Sequence, residues 1–166
     1  MRRRGLLLAS LGGAAATLAG CGFRMRGAPS FAFDSIHLAG TSELASELRR
    51  NLQSVPGLRV LDARTPPDQA QVILDILGEQ RQKVVVGRTS TGQVREFQLR
   101  MSLKFRLRNP RGRELISDTD LLQQRDISFN ESAVLAKEAE EVLLYNDMQS
   151  DLVQQVLRRL AAVRAV

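Results

Sequence analysis

From Phe97 onward every second residue is apolar: Phe97, Leu99, Met101, Leu103, Phe105 and Leu107 alternate with Gln98, Arg100, Ser102, Lys104, Arg106 and Arg108. A period of two predicts a strand with one buried and one wet face. Antiparallel sheets backed by a single helical layer are built this way. Asn109-Pro110-Arg111-Gly112 predicts a turn, so the segment from Leu115 to Phe129 returns as a partner strand, irregular around Asp118 and Asp120. Upstream, Ala70 to Leu77 is short and rich in Val, Ile and Leu, which favours strand over helix, and Gln80 to Val86 extends it in a more polar register. Thr89-Ser90-Thr91-Gly92 reads as a loop, and Ser35 to Leu38 and Leu58 to Leu61 are short strand candidates.

Two segments repeat with helical spacing instead. Leu44, Leu48 and Leu52 form an i, i+4 stripe that Thr41 or Ser42 can cap and Pro56-Gly57 stops. Leu144, Met148, Leu152, Val156 and Leu160 recur every four residues in a longer helix, with Asn130 or Ser132 as its cap. Glu138, Glu140 and Glu141 lie early in it and Arg158 and Arg159 late, the sense the helix dipole favours. This order of elements predicts an α+β two-layer sandwich: a mixed, mostly antiparallel four-stranded sheet with two helices on one face, forming one domain over residues 34–166.

The N-terminus has another character. Arg2, Arg3 and Arg4 precede an apolar stretch from Leu6 to Leu18, the order of a secretory signal. About 13 apolar residues cover roughly 20 Å, short of the ~30 Å hydrocarbon core, so residues 1–20 read as a cleaved signal and not a span. Leu18-Ala19-Gly20-Cys21 resembles a bacterial lipobox, which makes Cys21, the single cysteine, the expected lipid attachment point. The multiple acyl chains of a lipoprotein hold it at a membrane, since each buried methylene adds ~0.8 kcal/mol. Residues 21–33, with Gly22, Gly27, Pro29 and Ser30, read as a tether. An aspartate after the cysteine would resemble an inner-membrane retention signal; Gly22 stands there, which favours the outer membrane, on its periplasmic side. Sec export is the default, since Arg3-Arg4 resembles a twin-arginine signal only loosely.

Charge refines this picture. The chain has 24 basic and 18 acidic side chains, and without the three signal arginines 21 face 18. Export and the lack of tryptophan argue against a nucleic-acid partner and leave phosphorylated lipids and acidic envelope proteins as the anions within reach. Catalytic constellations are sparse. His37 is the one histidine, so neither a metal site nor a second base can be assembled around it. Asp118 and Asp120 share a face if extended, but nothing nearby supplies a nucleophile, and Gly87 and Gly92 fall in no phosphate-cradling spacing. The expectation is a protein without enzymatic activity, metal or cofactor. Arg95, Arg100, Lys104, Arg106 and Arg108 make a basic strand face, readable as a docking surface or as a solvated one.

Taken in order, the lipobox, Cys21-Gly22-Phe23-Arg24-Met25-Arg26-Gly27, Gly92-Gln93-x-x-Glu96-Phe97, Leu135-Ala136-Lys137-Glu138, Asp147-Met148 and Leu157-Arg158-Arg159-Leu160 resemble the LptE family of LPS-assembly lipoproteins. The resemblance implies a plug within the lumen of the LptD outer-membrane barrel, which helps that barrel assemble and binds lipopolysaccharide. It also implies lipopolysaccharide-binding roles for Arg88, in Gly87-Arg88-Thr89, and for Lys137. The loop before Gly92 is longer than the family pattern, which bears on Arg88 more than on Lys137. An alternative is an auxiliary lipid-binding lipoprotein of an envelope ABC-type lipid transporter, its ligand held between sheet and helices. A hydrolase using Asp118 and Asp120 ranks behind both.

Overall fold

A computed structural model describes residues 30–165, so the signal segment, Cys21 and most of the predicted tether lie outside the described residues. Strand β1 (Ser35–His37) leads into helix α1 (Glu43–Gln53), and β2 (Arg59–Leu61) is followed by a 3-10 turn (Pro67–Gln69). Three long strands come next, β3 (Val72–Arg88), β4 (Val94–Arg108) and β5 (Glu114–Ser128). A second 3-10 turn (Glu131–Ala133) then leads into helix α2 (Val134–Ala161).

The class is α+β as expected, but the sheet has five strands where four were predicted, in the order β2-β1-β3-β4-β5. β1 pairs in parallel with both β2 and β3, while β3–β4 and β4–β5 are antiparallel. Leu58 to Leu61 had marked β2 as a strand but not its place in the sheet, because a three-residue edge strand whose parallel partner lies across a helical crossover leaves no local periodicity that reports the pairing.

Local chemistry sets the boundaries. Ser42 caps α1 by accepting a hydrogen bond from the Ala45 amide at 3.1 Å. The β4–β5 turn closes on Asn109, whose Oδ1 accepts the amides of Arg111 and Arg113, with Gly112 at φ +86°. Asn130 Oδ1 accepts the Ser132 amide and starts the turn before α2.

Leu99, Met101, Leu103, Phe105 and Leu107 of β4 are buried, as are Leu44, Leu48 and Leu52 of α1 and Met148, Leu152, Val156 and Leu160 of α2. The predicted stripes therefore meet in one core, each fully buried aliphatic side chain contributing about 1.5–3 kcal/mol. Phe33 belongs to this core and Phe31 stacks on it at 5.2 Å between ring centroids, so the last residues assigned to the tether on sequence grounds pack on the domain. Residues 62–71 return from β2 to β3, bringing Pro67 to the same cavity as His37 and Ile73. This connection covers β1 on the side away from the helices, while the same side of the three long strands carries no helix.

Candidate functional site

The three long strands extend away from the core toward one end, and both lipid-binding candidates lie there. Arg88 pairs with Val94 on the last rung of the β3–β4 hairpin and donates from Nη1 to the Gly92 carbonyl at 3.2 Å. The hairpin turn is closed by Thr89 and Gln93, with Gly92 at φ +85°. Lys137, one turn into α2, lies over the end of β5, donating to Ser128 Oγ at 3.0 Å and to Glu140 at 2.9 Å. The fold brings Arg88, at the end of β3, and Lys137, in the first turns of α2, to one end of the molecule without a hydrogen bond between them.

Beside Lys137 is a small cavity of about 60 Å³, with Phe97, Ile127, Phe129 and Val134 in its wall together with Lys83, Lys137, Glu138 and Glu141. Phe97 and Phe129 meet edge to face at 5.4 Å, and the Lys83 ammonium sits 4.5 Å from the Phe97 ring centre while pairing with Glu141. On the outer side of α2, Leu135 is 82% exposed, and Val142 and Leu143 are also exposed. Sequence reasoning missed this second apolar stripe. Its signal was the i, i+7, i+8 spacing of Leu135, Val142 and Leu143, overshadowed by the longer repeat that begins at Leu144.

The basic strand face takes a different form from its sequence reading. Arg100, Lys104, Arg106 and Arg108 alternate onto the helix-free side, whereas Arg95, two residues before Phe97 and so out of step with them, is the extra residue at a register shift between Glu96 and Val94. A bulge adds one residue and re-aims its side chain. Neighbouring strands neutralise much of the remainder. Arg106 Nε and Arg108 Nε both donate to Asp75 Oδ2, at 2.9 and 2.7 Å, Lys104 pairs with Asp118 at 3.4 Å, and Arg100 donates to Gln98. Burial opposes ionisation of Asp75, but the hydrogen bonds from Arg108 and Arg106 outweigh it and hold the carboxyl below its ordinary range. The face is polar and charge-balanced, not uniformly basic. The balancing acids sit on other strands, where only the register reveals them.

Asp118 lies where the β4–β5 register shifts and pairs with Lys104. His37 is buried, and neither ring nitrogen has a hydrogen-bond partner among the described residues. No group of three or more His, Cys, Asp or Glu is placed to hold a metal among the described residues, and no described helix is long and apolar enough to cross a membrane.

The model of the LptE family, described as lipopolysaccharide-assembly, matches residues 32–160. The chain belongs to the LptE family. A solution structure of an uncharacterized lipoprotein B from Nitrosomonas europaea is similar to it at 30% identity and a TM-score of 0.72, over 85% of this chain and 91% of that one. Rare lipoprotein B from Shewanella oneidensis (20% identity, TM-score 0.65, 77% and 94% covered) and a minor lipoprotein from Acinetobacter baumannii (16%, 0.62, 80% and 94%) are similar to it in fold. A comparison with curated proteins finds no match. LptE membership ties the chain to lipopolysaccharide assembly, and the matched span takes in the sheet, both helices and both tip candidates.

Proposed function

We propose that the chain is an outer-membrane lipoprotein, anchored through Cys21, that seats in the lumen of the LptD barrel, helps it assemble, and contacts lipopolysaccharide with the tip carrying Arg88 and Lys137. The observation that carries this reading is the family match across the folded domain. The helix-free sheet face supports it, because long strands bearing paired charges suit a barrel lumen that is itself polar. At the tip, cations stand beside apolar surface, the pairing a phosphorylated lipid demands: Lys137 next to Phe97, Phe129 and Val134, and Arg88 with a guanidinium able to donate twice. Lys137 must exchange Glu140 for the incoming phosphate.

The auxiliary-transporter alternative needs a ligand space between sheet and helices. Leu99, Met101, Leu103, Phe105, Met148, Leu152 and Val156 fill that space. The deciding experiment is a pull-down of the tagged protein from gently solubilised outer membranes. A stoichiometric large barrel is the expected partner, and recovery alone or with an inner-membrane transporter overturns the plug reading. Cys21→Ala should abolish acyl labelling, and a mutant that still labels refutes the anchor.

A further inference from the structure

Far from the tip, where the 62–71 connection crosses the sheet, a groove of about 390 Å³ opens on the helix-free side. That volume is in the range of small-ligand sites, about 300–1,000 Å³. Its walls are of two kinds. Pro67, Ala39 and Leu77 supply apolar surface, and Arg106, Arg108 and Asp75 supply charge. Leu77 is brought there by a bulge: Ile76 pairs with Phe105 and Gly78 with Lys104, which leaves Leu77 as the extra residue, 41% exposed.

The arginines are fixed yet incompletely used. Asp75 takes the Nε of both and, more distantly, Nη2 of Arg108, so neither Arg106 Nη nor Arg108 Nη1 has a hydrogen-bond partner among the described residues. Asp75 aims both guanidiniums and leaves their outer donors unused, while Glu114 and Asp118 act on Arg106 from β5. Lys104 and Asp118 pair with each other in the next row, and Glu114 faces Arg108 from β5, outside the groove. His37 adds an independent sign. It shares a register row with Ile73 and Arg108, lines the groove, and is 96% buried with both ring nitrogens unpartnered. Buried polar atoms without partners are rare in folded proteins and point to a group that belongs beside them.

We infer that this groove binds an amphiphile with an oxyanion head, the head on the outer donors of Arg106 and Arg108 and the first carbons of its chain on Leu77 and Pro67. The site is separate from the tip and does not depend on the tip's role.

The test titrates the purified full chain with monododecyl phosphate below its micellar concentration and follows the Nε–H signals of Arg106 and Arg108 by NMR. Inorganic phosphate and the uncharged dodecyl maltoside serve as the comparison ligands. Saturable shifts with dodecyl phosphate, at least about tenfold weaker with either comparison ligand and in Arg108→Gln, are expected from loss of one charge-assisted contact or of the apolar wall. Equal binding of inorganic phosphate means a bare anion site, equal binding of the maltoside means apolar adhesion, and no saturable shift means no site; each overturns the proposal. Should Arg108→Gln disturb the fold, Leu77→Ser on the exposed wall gives the same decision: it must weaken dodecyl phosphate and leave inorganic phosphate unchanged.

Discussion

The two halves of α2 hold the sheet in different ways. Its C-terminal half buries Met148, Leu152, Val153, Val156 and Leu160 against β4 and α1, an apolar contact. Its N-terminal half rests on β3 and β5 through polar links, Lys83 to Glu141, the Tyr145 hydroxyl to the Gln82 carbonyl, and Lys137 to Ser128, with Arg81 to Gln149 where the two halves meet. Arg81 also lies 5.5 Å from the Tyr145 ring centre. β3 changes to match, since Val72, Ile73 and Leu74 are buried at its start while Glu79, Arg81 and Lys83 take the helix-facing register opposite Leu103, Met101 and Leu99. Apolar packing is nondirectional and cooperative, whereas a half-exposed polar seam is weak link by link and can open locally. One helix thus joins a rigid base to a tip whose contacts can be exchanged for a ligand's.

The largest effect belongs to the base. Leu103→Asp places an unpaired charge among fully buried side chains and should cost about 5 kcal/mol or more, abolishing the cooperative unfolding transition. A folded mutant would mean the two faces of β4 are reversed. Next comes a matched pair on one helix: Leu152→Ala should lose about 2–5 kcal/mol in urea denaturation, and Leu143→Ala at the exposed tip should stay within about 0.5 kcal/mol. Similar losses at the two sites would remove the distinction between base and tip.

That distinction was only half legible in the sequence. The base was readable because its side chains obey a period: alternation from Phe97 to Leu107 set the face of β4, and the four-residue repeat from Leu144 to Leu160 set the face of α2. The β3 tract from Gln80 to Val86 looked merely polar, because Arg81 and Lys83 face the helix layer through partners on α1 and α2 that are distant in sequence. Likewise Arg106 and Arg108 read as free cations until the antiparallel register set Asp75 between them. Lys137 and Arg88 were marked by family resemblance alone. No periodicity draws Phe97, Phe129 and Val134 together beside Lys137, because that cavity forms only when the turn after β5 folds α2 back over the sheet.

Tip and base also differ in what charge reversal does. Arg88→Glu with Lys137→Glu should weaken lipopolysaccharide binding about tenfold or more and leave the melting temperature within a few degrees, since both links are solvent-exposed. Unchanged binding would take the lipid role from both residues. Tyr145→Phe, which removes only the hydrogen bond to Gln82, should cost about 0.5–1.5 kcal/mol and raise hydrogen exchange in the first half of α2 before the second.

The smallest effect is read from the acid limb of the stability profile. Asp75 has its carboxyl held below its ordinary value of 3.8 by Arg108 and Arg106, against the opposing pull of burial. A carboxyl whose folded value is depressed contributes stability that is complete above the unfolded value and is lost as pH falls through the folded one. The wild type should therefore lose an increment of stability as pH drops below 3.8, and Asp75→Asn, already without it, should show a shallower acid limb in urea midpoints measured across that range. The mutant also leaves Arg106 and Arg108 without their shared counterion, so its deficit should be largest at neutral pH and narrow toward acid. Parallel acid limbs for the two proteins would mean that Asp75 does not hold the arginine pair in solution.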